Sequence, residues 1–375
     1  MKHSDTSGRK IRVGILFGGK SAEHEVSLQS ARNVLQAMDA QQFEPVLIGI
    51  DKHGKWHAAP GRQALQDGDL ARLLTDGKDA PTPRNAEDND QAQQLVTTGG
   101  ASALTTLDVV FPVLHGPLGE DGSMQGFLEL AGIPYVGPGI LGSAIGMDKD
   151  VMKRLLRDAG IPVTDFVTLA ARPATARAQE LANQLGLPLF VKPANMGSSV
   201  GVSKVTSVAD LPAAVAAALQ FDTKVLVERA IIGDEIECAV LGNDAPEASV
   251  IGRVIPNDGF YSYEAKYLDE NGAVLEIPAK LPKAATENAR RTAVETFKVL
   301  ACEGMSRVDM FAQPDGTIVV NEINTIPGFT KISMYPKLWE ATGVSYTELI
   351  TRLINLAIER FERRQKLQTT YKNHL

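Results

Sequence analysis

Apolar residues along this chain keep two rhythms, and the change from one to the other divides it. Residues 11–17 form a short apolar run closed by Gly18 and Gly19, after which Val26, Ser30, Val34 and Met38 recur at helical spacing. This predicts strand, tight turn and helix. Apolar runs at 43–50 and 107–114 extend the alternation and predict a parallel sheet with helices on its faces. Between them, 58–102 is rich in Asp, Gly, Pro, Gln and Ala, and reads as a surface insertion with some helix and a disordered stretch at 78–93. Residues 115–122 then form a loop at the carboxyl end of a strand, where open parallel sheets bind ligands, and a helix over 123–131 follows.

Prolines and glycines crowd 134–139 and mark a boundary. Beyond it Met147, Val151 and Leu155 trace a helix stopped by Gly160 and Pro162. Runs at 189–193 and 200–205 predict strands around the loop 194–199. Ser207 with Asp210 opens an Ala-rich helix, and a strand at 225–227 precedes a second boundary at 228–233. From Glu235 onward the period is mostly two, as at 235–241 and 247–255. A helix over 285–303 ends at Gly304; another starts at the capping box of Ser345 and Glu348 and buries Leu349, Leu353 and Leu356. The expected division is a loose tail at 1–10, an N-terminal α/β domain at 11–138, a central unit at 139–230 and a C-terminal unit at 231–375.

Candidate chemistry concentrates in the last unit. Residues 306–311 and 317–328 are rich in β-branched and apolar types, and Pro314, Asp315 and Gly316 between them are turn chemistry. Strand side chains alternate faces, so Arg307 and Asp309 share a face of one strand, and Glu322 and Asn324 share a face of the other. A loop of even length between Ala312 and Thr317 would bring all four onto one surface. Hard oxygen ligands at that density suit Mg²⁺, which completes its octahedron with substrate phosphates, so a nucleotide is the expected co-ligand. The alternative is a hairpin with a solvated polar face.

Composition narrows the classes. At 375 residues, two or three domains are expected. A net charge of -7 and a pI near 5.5 argue against nucleic-acid and anionic-membrane partners. No apolar run approaches a membrane span and residues 1–10 are polar, so a cytoplasmic protein is expected. Cys238 and Cys302 each sit inside an apolar pattern and read as buried free thiols.

Several motifs have a functional and a plain reading. Gly14 to Ser21 satisfies the phosphate-loop pattern, yet Gly14 lies inside the first strand, leaving too few loop residues to wrap a triphosphate. The phosphate-loop reading of this stretch is rejected on that ground. Glu23 at a helix start suits an ammonium, or serves only the helix dipole. The loop 194–199 with Lys192 suits phosphates, or is an ordinary Gly-Ser hairpin; Lys192 near the end of an apolar strand needs a partner. Phe260, Tyr261, Tyr263 and Tyr267 in the loop 256–267 suggest a lid that delivers Lys266, or a satellite cluster. The histidines lack metal-ligand spacing, and His24 and His115 read as satisfied hydrogen-bonding groups.

Taken in order, Gly18-Gly-Lys-Ser-Ala-Glu-His-Glu-Val-Ser27, His115-Gly-Pro-Leu-Gly-Glu-Asp-Gly122, Gly197-Ser-Ser-Val-Gly201, Tyr263-Glu-Ala-Lys-Tyr267, Arg307-Val-Asp309 and Asn321-Glu-Ile-Asn-Thr-Ile-Pro-Gly328 make the chain resemble the D-alanine–D-alanine ligase family of ATP-grasp enzymes. The resemblance runs from about residue 11 to 358. It implies an α/β, overall mixed α+β, ATP-grasp fold: a parallel-sheet domain plus two α+β units sandwiching ATP. Asp309, Glu322 and Asn324 would hold two Mg²⁺, with Mn²⁺ able to take their place. Lys149 and Lys192 would contact the ATP phosphates, Glu228 and the following backbone the adenine, and Glu235 the ribose, with Ser199, Arg229, Ile231 and Lys266 also on the nucleotide. Glu23 would anchor the ammonium of the first D-alanine with His115 nearby, and Ser198 and Tyr267 would link to Glu23 when the lid shuts. Arg307 and the Gly328 backbone would stabilise an oxyanion, and Ser333 would take the carboxylate of the second D-alanine. The implied role is peptidoglycan precursor synthesis by a cytoplasmic homodimer, through an acyl phosphate. Tyrosine at 267, where ligases that make D-alanyl-D-lactate carry histidine, points to the dipeptide. The alternatives are a ligase using D-lactate or D-serine second, a phosphate-loop NTPase, which would need the first loop to bind nucleotide, or an amino-acid sensor on the same scaffold, which would need a broken metal site.

Overall fold

A computed structural model describes residues 9–60, 106–256 and 273–368. The insertion beyond Pro60, with its stretch 78–93, and residues 257–267 of the aromatic loop, including Lys266 and Tyr267, lie outside those residues.

β1 (Ile11–Gly18) passes through Gly18 and Gly19, both at positive φ, into α1 (His24–Ala37), followed by β2 (Phe43–Ile50), β3 (Trp56–Pro60) and β4 (Val109–Pro112). Their order is β3-β2-β1-β4, with β1 parallel to both neighbours and β3 an antiparallel edge. That edge claims the first residues expected in the insertion, since Ala58 and Ala59 pair with Ile48 and Leu47. Gly14 lies mid-strand between Val46 and Val110, so the phosphate-loop pattern has no loop at its first glycine.

α2 (Ser123–Leu130), α3 (Ile140–Met147) and α4 (Lys149–Asp158) come next. α4 does not bury the expected stripe. Val151 and Leu155 are at the surface, while Met152, Leu156 and, without any exposure, Lys153 point inward. Charge decides this: Lys149 and Lys153, one turn apart, both meet carboxylates on neighbouring elements.

β5 (Phe166–Leu169), α5 (Thr175–Leu185), β6 (Leu189–Pro193), β7 (Ser203–Val205), α6 (Leu211–Ala218) and β8 (Val225–Arg229) build an antiparallel sheet of order β5-β8-β6-β7. Leu181, Leu185, Val191, Val215 and Val227 pack beneath it. Ser207 caps a 3-10 turn at Val208–Asp210 ahead of α6, instead of the helix itself.

β9 (Asp234–Gly242), β10 (Glu247–Pro256), β11 (Ala273–Glu276), α7 (Lys283–Val299), β12 (Gly304–Ala312), β13 (Ile318–Asn324), α8 (Met334–Thr342) and α9 (Tyr346–Gln365) form the last part, with sheet order β11-β10-β9-β12-β13. One face packs on α7 through Ala289, Ala293 and Phe297; the other meets Tyr335 and Trp339 of α8. That second core runs on into the first sheet, where the Phe111 and Phe329 rings meet edge to face at 5.6 Å. Ser345 caps α9 by accepting from the Glu348 N–H at 3.2 Å. Arg360, buried on α9, donates to the Tyr135 carbonyl at 2.8 Å and lies 4.5 Å from that ring's centre, tying α9 to the exit of the first sheet. Cys238 and Cys302 are buried free thiols, pushed up to about 12 by burial. Among the described residues no helix is long and apolar enough to cross a membrane.

Candidate active site

The two antiparallel sheets enclose a cleft of about 410 Å³, reached by Lys149, Lys192, Ser198, Ser199, Glu228, Ile231, Glu235 and Glu322 and walled by Phe190, Val254, Phe311 and Val319. Its size and mixed lining suit a small polar ligand with an aromatic part.

At one end stands the β12–β13 hairpin, whose register departs from the expected one. Ala312 pairs with Ile318, so residues 313–317 form a connection of odd length. Continued regularly, that pairing would set Glu322 opposite Val308, on the core face. A β-bulge at Asn321 adds one residue and restores the phase, so that Asp309 faces Glu322 and Arg307 faces Asn324. The four groups do share one surface, by a different route from the even loop.

Their charges are already matched. Arg307 binds both oxygens of Asp309 at 2.7 Å and reaches Glu237 at 2.9 Å. Burial disfavours its charge, but Asp309 and Glu237 overcome that and hold Arg307 well above the usual guanidinium range. Asn324 Nδ2 donates to Asp309 at 2.9 Å, leaving the amide oxygen as its acceptor. Lys149 lies 3.1 Å from Glu322 and donates to the Met196 carbonyl at 2.8 Å.

Deeper in the cleft, Glu228 joins two lysines. Lys192 sits 2.7 Å from one of its oxygens and Lys153 lies 3.1 Å from the other. Burial pushes Glu228 up, but the two ammonium charges outweigh it and the carboxyl is held low. Burial lowers Lys153 to about 8 against the pull of Glu228. Lys192 also donates to the bulge residue Asn321 at 3.2 Å, which links this cluster to the hairpin. Lys192 thus has the partner its strand position called for. Sequence reasoning missed Lys153; its spacing from Lys149, one turn along the same helix, was the available signal.

On the opposite wall, Ser198 and Ser199 both take positive φ, 53° and 59°, which non-glycine residues adopt at a cost. The strained turn carries the Ser198 hydroxyl onto the Glu23 carboxylate across 175 positions of sequence. Loss of solvation and the nearby Glu23 charge raise Glu120 to about 8. His115 is buried and pushed down by that burial, though Glu23 opposes the shift; it bonds the Ile326 carbonyl at 3.1 Å and the Ser30 hydroxyl at 3.4 Å.

Other expected site residues are placed less directly. Arg229 turns its guanidinium to the Leu185 carbonyl at 2.8 Å and to Asp165 at 3.3 Å. Ser333 Oγ accepts from the Thr330 N–H at 3.0 Å, and a Cβ on Gly328 would come within 2.8 Å of that same oxygen. The segment after β13 therefore brings Gly328 and Ser333 together.

Among the described residues no group of three or more His, Cys, Asp and Glu is placed to hold a metal. The hairpin instead offers two carboxylates and a carboxamide, paired with Arg307 and Lys149. Two carboxylates and a carboxamide oxygen are a hard donor set that suits a divalent ion taking its remaining ligands from phosphate.

The family model described as the D-ala D-ala ligase N-terminus matches residues 12–138, and that of the C-terminus matches 155–355. The chain belongs to the D-alanine–D-alanine ligase family. D-alanine–D-alanine ligase A of Chromobacterium violaceum is 55% identical over 94% of this chain and 96% of its own, and that of Escherichia coli (strain K12) is 51% identical over 96% and 99%. Among solved structures, the D-alanine-D-alanine ligase from Coxiella burnetii superimposes with a TM-score of 0.81 at 39% identity, over 95% of this chain and 96% of its own. The VanG D-Ala:D-Ser ligase from Enterococcus faecalis gives 0.78 at 37%, over 93% and 100%. As in these ligases, the fold is ATP-grasp.

Proposed function

We infer that this chain is an ATP-dependent ligase that joins two D-alanines into D-alanyl-D-alanine, a peptidoglycan precursor. The single observation that carries the reading is the convergence, around one cleft, of a carboxylate-carboxamide hairpin, two lysines on the opposing elements and the Ser198–Glu23 contact.

Asp309, Glu322 and Asn324 would hold the divalent ion, which we read as Mg²⁺ with Mn²⁺ substituting. Such an ion neutralises phosphate charge and helps align the γ-phosphoryl group. Lys149 and Lys192 come at the phosphates from the other side, and Lys149 is able to leave Glu322 for a phosphate oxygen. Glu228, Arg229 and Ile231 supply the adenine end, and Glu235 the ribose. Glu23 receives the ammonium of the first D-alanine, whose carboxylate attacks the γ-phosphorus as ADP leaves. Arg307 and the Gly328 N–H then stabilise the oxyanion formed when the amine of the second D-alanine adds to the acyl carbon; phosphate departs as that carbonyl re-forms. Ser333 takes the carboxylate of the second substrate. Ser199 and Lys266 cover the phosphates, and closure over the site keeps water from the acyl phosphate.

The test is phosphate release and product analysis with ATP, Mg²⁺ and either D-alanine, L-alanine or neither. Release and dipeptide with D-alanine alone are expected; equal release with L-alanine would overturn the stereochemical assignment. The second substrate is read from Tyr267. A protonated imidazole there would repel an ammonium and admit an anion, whereas a neutral phenol favours neither. Tyr267→His should therefore make D-alanyl-D-lactate from mixed D-alanine and D-lactate, increasingly as pH falls through about 6.5. A product ratio flat with pH and equal to wild type would place Tyr267 outside the second site.

A further inference from the structure

Residues 326–329, which carry the Gly328 donor, belong to the C-terminal part of the chain but are held largely by the first sheet's own elements. His115, on the loop after β4, bonds the Ile326 carbonyl at 3.1 Å. Glu120, on the same loop, accepts from the Gly116 N–H at 2.7 Å. From α1, Ser30 Oγ accepts from the Phe329 N–H at 3.1 Å, and Asn33 Nδ2 donates to the Phe329 carbonyl at 2.9 Å. These contacts join residues 296 and 299 positions apart. Tyr346 on α9 adds a second donor to the Phe329 carbonyl at 2.7 Å.

Peptide groups are planar, so a hydrogen bond to one C=O or N–H orients the whole group. The Ile326–Pro327 group is fixed by His115 and the Gly328–Phe329 group by Ser30. Asn33 and Tyr346 fix the group after that. The Pro327–Gly328 group, whose N–H is the oxyanion donor, is thereby suspended between planes anchored to another part of the molecule. Ser30 is fully buried and serves both sides, since its hydroxyl also bonds His115 Nε2 at 3.4 Å.

We propose that Ser30 and Asn33 are positioning residues for the second half of the reaction: through the main chain of Phe329 they aim the Gly328 N–H at the oxyanion. Neither lines the nucleotide cleft, so their effect on acyl-phosphate formation is expected to be small. The inference rests on the ligase reading, and its test separates the two half-reactions. Exchange of ¹⁸O between the β,γ-bridge and non-bridge positions of ATP, measured with D-alanine and Mg²⁺, reports acyl-phosphate formation; dipeptide production reports the whole.

In Asn33→Ala and Ser30→Ala, exchange should stay within about twofold of wild type while dipeptide formation falls about tenfold, the size of one lost hydrogen bond expressed in the transition state. Ser30→Thr, which keeps the hydroxyl, should restore it. Asn33→Ala touches only the Phe329 carbonyl and so guards against a fault at His115. Equal losses in both assays, or unchanged dipeptide formation in both alanine variants, would overturn the proposal alone. Wild-type enzyme that exchanges label yet makes no dipeptide would overturn the ligase reading together with it.

Discussion

The two ends of the cleft use the same chemistry, lysine against glutamate, in different surroundings. At the hairpin, Lys149 and Glu322 meet at 3.1 Å with side chains 10% and 22% exposed. In the cluster behind it, Lys153 and Glu228 meet at the same 3.1 Å with 0% and 4% exposed. Near solvent, a carboxylate that loses its lysine can be met by an ion or by water, so such a pair can be exchanged for ligand. In the interior, removing one partner leaves a desolvated charge, so the pair is part of the fold. Distance alone does not say what an ion pair is for; accessibility does.

The largest expected effect is at the exchangeable end. Glu322→Gln keeps the shape and removes one negative charge from the ion's site, and turnover should fall by about two orders of magnitude or more. Its melting temperature should stay close to wild type; a large drop would erase the distinction between the ends. Lys153→Met should do the reverse, costing about 3 kcal/mol of stability in denaturant titration, since Glu228 keeps only Lys192. An unchanged midpoint would show that the buried pair is dispensable.

A smaller effect separates Glu120 from both. Its folded-state value of about 8 lies above its ordinary 4.5, so the native carboxyl holds a proton over that interval while the unfolded one does not. Its contribution to stability is therefore fully present below about pH 4.5 and is lost as pH rises through about 8. Glu120→Gln, a fixed neutral analogue, should gain in melting temperature over wild type as pH goes from 5 to 9 without substrates. A difference that does not change with pH would mean that Glu120 is ionised throughout.

How much of this the sequence showed follows the range of the forces involved. Period-two alternation is local, and it placed Arg307, Asp309, Glu322 and Asn324 on common faces. The bulge at Asn321 that unites those faces depends on loop length and on Lys192, 129 positions away, and had no local signal. For α4, the apolar stripe of Met147, Val151 and Leu155 pointed the wrong way because Lys149 and Lys153 are drawn inward by acids on other elements. Ser30 fell within the apolar face of α1, but what it holds is almost three hundred residues downstream. The motifs identified the family; the contacts that aim its parts emerged only when distant segments met.

The most direct test of the contrast between the ends is calorimetric ATP binding with and without Mg²⁺ in wild type, Glu322→Gln and Lys153→Met. Glu322→Gln should retain the metal-free affinity but lose the gain Mg²⁺ provides. Lys153→Met should lose metal-free affinity and keep that gain. The same pattern in both variants would contradict the division of the cleft into an exchangeable end and a structural one.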